Sequence, residues 1–204
     1  MNRFRQNNPQ RLTIVSLCWL VLTIGLPLSA AAQSAASDVV RTTVNSVLDT
    51  LGDNTLDHES KKSQVASIVD RHFDFQAMSS RVLATNWKRA SNSEKQQITR
   101  LFRQMLVETY WQKMSGFSGE TVEFIDERSR SEDYVSCQTI VKTKSADIPV
   151  DYKLYRVNGT WMAYDVVIEQ VSLVRNYRGK FQSIVRDDGI PRLISHLESS
   201  TPSP

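Results

Sequence analysis

The chain predicts an α+β domain, with helices packed on one face of a curved antiparallel sheet of about four strands. Three observations carry that class. Apolar residues recur at helical spacing through the first half, from Val39 to Met114. Four segments between Thr121 and Ile168 then alternate, joined by short polar links that make an antiparallel meander. Beyond them Ser172 is a good N-cap, and Leu173, Tyr177, Phe181, Ile184 and Val185 return to helical spacing.

Ahead of this domain, residues 1–32 read as a signal peptide. Arg3, Arg5 and Arg11 form the positive end, Leu12 to Leu28 the apolar run, and Ala30-Ala31-Ala32 a small-residue cleavage site. A membrane anchor is the alternative. Against it, Gly25 and Pro27 interrupt a run already short for a span. Cys18 follows Ser16-Leu17, has no small residue directly before it, and is not read as a lipid-attachment cysteine. The mature chain is expected to begin at or close to Gln33, exported.

Cleavage changes the charge. The chain carries 25 basic and 22 acidic residues, net +3, and the three leader arginines account for all of it. A near-neutral product implies no polyanionic partner, which argues against nucleic acid. Cys137 alone survives, so no internal disulfide is possible, and within Tyr134 to Val141 it reads as a buried, inert strand thiol.

The remaining stretch, residues 33–198, suits one domain with a sizeable core, followed by a Ser/Pro-rich disordered tail at 199–204. The first helix spans Asp38 to Leu51 and is closed by Gly52. Asp57-His58-Glu59 has metal-ligating residue types, but adjacent positions rarely converge on one ion, so it reads as a solvated turn and no metal site is expected. A second helix runs from about Ser60 to His72. Asp74 caps a third, with Phe73 and Met78 placed as a hydrophobic staple and the helix ending near Trp87. Ser91-Asn-Ser-Glu94 is a capping box for the longest helix, which ends before Gly116. Strands follow over Thr121–Glu127, Tyr134–Thr143, Ile148–Val157 and Thr160–Ile168, then helices over Leu173–Arg186 and Pro191–Leu197.

The last hairpin offers two registers. Asn158-Gly159 invites a two-residue turn, which mixes apolar and charged residues on both faces. A three-residue loop, Val157-Asn158-Gly159, pairs Leu154 with Met162, Tyr152 with Tyr164, Val150 with Val166 and Ile148 with Ile168. One coherent apolar face results, at the cost of Asp151 opposite Asp165. The three-residue loop is therefore expected.

Two blocks resemble a known family. Trp161-x-x-Tyr164-Asp165-x-x-x-Glu169-x-Val171-Ser172 with Asn176-Tyr177-Arg178 is similar to the signature of the MlaC (toluene-tolerance) family. Upstream, Phe73-Asp74 and Met78-Ser79-x-Arg81-Val82-Leu83-x-x-x-Trp87 resemble its other recognisable block. The family usually has Gly where this chain has Ala84 and Gln170. The resemblance implies a periplasmic phospholipid carrier, with an apolar pocket between sheet and helices that takes acyl chains. It further implies shuttling between an outer-membrane lipoprotein–porin complex and an inner-membrane ABC transporter complex, and a branch associated with hopanoids stays open. No cofactor is expected beyond phospholipid as ligand, and the carrier is expected to be a monomer.

Such a pocket has a physical specification. Acyl chains resist water by ~0.8 kcal/mol per CH₂, so a lipid with about 30 methylenes requires a cavity offsetting most of ~24 kcal/mol. The headgroup stays in water. The expected lipid-binding residues are Val150, Tyr152, Leu154, Met162, Tyr164, Val166 and Ile168 on the sheet, faced by Phe102, Leu106, Tyr110 and Met114 of the long helix. Phe75, Met78, Val82, Tyr177 and Phe181 complete the set.

The competing class is a cone-shaped enzyme acting on a small apolar substrate, with an acid or base and a Tyr in its pocket. Tyr164 and Asp165 are adjacent on a strand, point to opposite faces, and do not supply that pair. His72 and His196 sit near helix ends without a carboxylate partner, and no catalytic residue is assigned.

Overall fold

The computed structural model describes residues 35–116 and 119–200. The expected signal peptide therefore lies outside the described residues, as do positions 201–204 of the expected tail. Helices α1 (Ala35–Gly52), α2 (His58–His72) and α3 (Phe75–Leu83) lead into a 3₁₀ turn, Ala84–Lys88, and the long α4 (Asn92–Met114). Strands β1 (Thr121–Ser131), β2 (Tyr134–Lys142), β3 (Asp147–Val157), β4 (Thr160–Ile168) and the short β5 (Val171–Ser172) form one antiparallel sheet in sequence order. Helix α5 (Leu173–Ser199) closes the fold. The α+β class and its antiparallel sheet stand as the sequence predicts, with five strands rather than four.

Side-chain caps fix the helix starts. Asp57 accepts from the Ser60 N–H, Asp74 from Ala77, Ser91 from Glu94 and Ser172 from Arg175. The Ser91/Glu94 capping box is complete. Each cap contributes about 1 kcal/mol by satisfying a helix-end donor. Asp57 thus has a structural role, and α2 starts at His58, two residues before the sequence expectation. Helix α5 joins two predicted helices across a break at Gly189, whose φ of 80° only glycine adopts readily; Pro191 opens the continuation. Ser199, assigned to the tail, is still helical.

The hairpin expectation is corrected. Val157 pairs with Thr160 across a two-residue turn in which Asn158 and Gly159 both have positive φ, 49° and 81°. That is the hairpin geometry whose twist matches paired strands. A bulge then intervenes: Leu154 pairs with Ala163 but Lys153 with Asp165, leaving Tyr164 as the extra residue. The bulge reverses which residues of β4 face inward. Trp161 and Ala163 are buried before it, Val166 after it. Tyr152 therefore lies opposite Val166, Val150 opposite Ile168, and the expected clash of Asp151 with Asp165 never forms.

Lys153 faces Asp165 instead, at 3.0 Å. The buried Asp165 also accepts from Ser172 Oγ at 2.7 Å and from the Val174 N–H at 3.1 Å. One carboxylate ties β4 to the start of α5. Between β4 and β5, Glu169 and Gln170 form a second two-residue turn with φ of 47° and 67°. This tight hairpin and a two-residue strand join β4 to α5.

Two apolar regions organise the interior. Helix α1 lays Ala36, Val40 and Val44 against Val135, Cys137, Leu154, Trp161 and Ala163 of the sheet. Helices α3, α4 and α5 pack on one another around Phe102, Phe181, Leu193 and Leu197. The α2–α3 junction is stitched to β4, where Phe73 bridges Ala163 and the Asp74 N–H donates to the Ala163 carbonyl at 2.9 Å.

Candidate functional site

Helices α1, α2 and the C-terminal half of α4 cover one end of the sheet without filling the space beneath them. A cavity of about 400 Å³ results, partly open to solvent. That volume lies within the roughly 300–1,000 Å³ of small-molecule sites. Its helical walls carry Val44, Val47, Leu51, Val65, Val69 and Leu106, and its floor carries Val122, Val141, Ile148, Val166 and Ile168 from four strands. Almost every lining group is apolar. Such a surface holds hydrocarbon well and a charge badly.

The wall helices are braced against each other. Lys62 of α2 lies 2.7 Å from Glu108 of α4, and Arg103 makes a two-pronged contact with Asp70 at 2.7 and 2.6 Å. Trp111 Nε1 donates to His58 Nε2 at 3.1 Å, with the rings edge to face at 5.0 Å. That bond makes the His58 nitrogen an acceptor and explains the turn residue that resembled a metal ligand. Exposed pairs contribute little stability singly. In a row they hold α2 against α4 while the inner faces of both helices look into the cavity.

The sequence-expected residues divide. Phe75, Met78, Leu106, Tyr110, Met114, Tyr152, Val166 and Ile168 line the cavity. Val82, Phe102, Tyr177 and Phe181 do not: they pack in or against the α3–α4–α5 cluster, where Phe102 meets the Tyr177 and Phe181 rings edge to face, each at 5.3 Å. Val150 is packed with Val166 and Leu173, and Leu154 with the α1 cluster beside a small satellite recess. Met162 and Tyr164 are corrected to the opposite face of the sheet. There Met162 pairs with Tyr155, while Tyr164 stacks edge to face on Tyr134 and Tyr155 beneath the Arg81 guanidinium. The bulge at Tyr164 is the cause.

Further walls, absent from the expected lipid-binding set, come from α1, α2 and the first two strands, Val122 and Val141 among them. Their stripes were legible, but a stripe facing a void and a stripe facing other side chains have the same period. Trp111 falls off the Leu101–Leu106 stripe, and its sequence position gives no sign that it is only 2% exposed.

The two phenols of the lining are held neutral. Burial pushes the Tyr152 phenol up to about 12 and raises that of Tyr110. Cys137, on the neighbouring strand, is raised to about 12 by burial and by Glu127, as suits an unreactive thiol. Asp165 is engaged by Ser172, Val174 and Lys153, away from the cavity. Among the described residues no group of three or more His, Cys, Asp or Glu is placed to hold a metal, and no helix is long and apolar enough to cross a membrane.

Comparison with known proteins places this geometry. A solved phospholipid-binding protein from Ralstonia solanacearum, in complex with a phospholipid, superposes with a TM-score of 0.74 at 24% identity. The match covers 82% of this chain and 97% of the other, and shows a shared fold. The family model described as MlaC protein matches residues 41–199, from the first turns of α1 to the end of α5. The chain belongs to the MlaC family.

Proposed function

We propose that the protein is a periplasmic phospholipid carrier that holds acyl chains in the cavity between the sheet and α1, α2 and α4. The observation that carries this reading is the cavity itself: about 400 Å³, apolar on helices and strands alike, and partly open to solvent. Void of this size lined by aliphatic side chains forgoes packing contacts that a filled core would make, and a ligand restores them. An acyl chain is the ligand whose transfer from water repays such a surface, at ~0.8 kcal/mol per CH₂. Membership of the MlaC family and the phospholipid-bound Ralstonia protein support the ligand class.

The carrier takes phospholipid from one membrane's complex and delivers it to the other's. Its partners on this reading are an outer-membrane lipoprotein–porin complex and an inner-membrane ABC transporter complex. Export by cleavage after Ala32 puts it between them. Native mass spectrometry of the protein purified from the periplasm, followed by organic extraction, tests the reading. The expected species starts at or near Gln33 and carries phospholipid. A lipid-free protein that takes up none on incubation with phospholipid vesicles contradicts it.

A further inference from the structure

Among the described residues, three charged side chains line the cavity: Lys62, Lys113 and Glu120. Lys62 is neutralised by Glu108 at 2.7 Å. Lys113 has no carboxylate partner among the described residues. It stands in the last turn of α4, yet its ammonium lies 5.6 Å from the centroid of the Tyr110 ring, itself part of the cavity wall. Lys113 is exposed, as is nearby Gly116, so the lining meets solvent here.

We propose that Lys113 binds the phosphate of the lipid whose chains occupy the cavity. This rests on the phospholipid reading above. A phosphodiester cannot follow its chains inward, because an unpaired ion in an apolar site costs several kcal/mol. It stops where lining gives way to water, which is where Lys113 stands. A lysine on a flexible stem meets a phosphate oxygen there as a point charge, with a charge-assisted hydrogen bond. The contact to Tyr110 is weak at an exposed site and is readily exchanged for it. Lys113 then sets specificity, favouring a phospholipid over a neutral lipid with the same chains. A lysine in a last turn also offsets the helix dipole, but that role does not distinguish one lipid from another.

The test compares dioleoylphosphatidylglycerol, dioleoylglycerol and inorganic phosphate, binding to lipid-free wild-type, Lys113→Ala and Lys113→Arg proteins. Lys113→Ala is expected to weaken phosphatidylglycerol binding about tenfold while leaving dioleoylglycerol within about twofold. Lys113→Arg restores the difference, and added salt shrinks it in the wild type. Equal losses for both lipids, or no loss for phosphatidylglycerol, overturn the assignment while leaving the carrier reading intact. Binding of inorganic phosphate that Lys113→Ala abolishes would make this a free-anion site and overturn the headgroup assignment. A wild-type protein that binds neither lipid overturns both the assignment and the carrier reading.

Discussion

Around Phe181, the helices α3, α4 and α5 close on one another: Phe102, Phe181, Leu193 and Leu197 are each at most 1% exposed. Around Tyr110, about two turns beyond Phe102 on α4, the helices stand off the sheet and leave about 400 Å³. The residue types are alike in both regions. What differs is the partner. Phe102 meets two aromatic rings supplied by α5, whereas Val47, Val69 and Tyr110 face strands whose inward residues are mostly Val and Ile, too short to reach across. The solid region fixes the frame, the braces from α2 to α4 hold the helical wall, and the cavity survives because neither can collapse into it.

The comparison breaks most visibly in the solid region. Phe181→Ala removes a ring from a filled site and should cost about 3–5 kcal/mol. A thermal melt by circular dichroism reads this directly, and lipid should be lost only as the protein unfolds. A ring of equal size in a void would have left the melt nearly unchanged.

Asp165→Asn tests the joint between the two regions. Asparagine keeps an acceptor for Ser172 Oγ or the Val174 N–H but leaves Lys153 without its counter-charge, at a cost of about 1–3 kcal/mol given that Lys153 is partly solvated. Lipid content per folded molecule should not change, because the carboxylate lies off the cavity face. Extraction after purification at low temperature checks it.

The smallest effect has the opposite sign. Ala84 has φ 51° and ψ −120°, and Gln170 has φ 67°, regions that disfavour any Cβ. Both are positions where this family usually carries Gly. Ala84→Gly and Gln170→Gly should each stabilise by about 1 kcal/mol, raising Tm by about 2–4 °C. No change in either would mean that neighbouring contacts already offset the strain.

These residues also mark how far the sequence could be read. Caps at Asp74, Ser91 and Ser172 were legible because capping is local chemistry. The helix stripes and the meander were legible because burial imposes a period. The register of β3 on β4 was not. Asn158-Gly159 announced its turn correctly, but a single face of Met162, Tyr164, Val166 and Ile168 argued against it. The bulge at Tyr164 that reconciles turn and burial has no local signal: it is held by the rings of Tyr134 and Tyr155, by Arg81, and by Asp165 reaching to α5. Cavity and core were confounded for a related reason. Phe102 and Tyr110 lie on one predicted stripe, and only the tertiary arrangement of α5 decides that one is packed and the other faces a void.

The most direct test of the cavity is Val166→Glu. Val166 lines it, whereas Val167 points to the other face of β4 and Phe181 sits in solid core. Melts and extracted lipid are measured together for Val166→Glu, Val167→Glu and Phe181→Glu. A cavity gives the new carboxylate room and water once lipid is absent, so Val166→Glu should fold, with Tm lowered by several degrees, and carry no lipid. Val167→Glu should keep both fold and lipid, and Phe181→Glu should fail to fold. A Val166→Glu protein that retains its lipid, or that unfolds as Phe181→Glu does, contradicts the account.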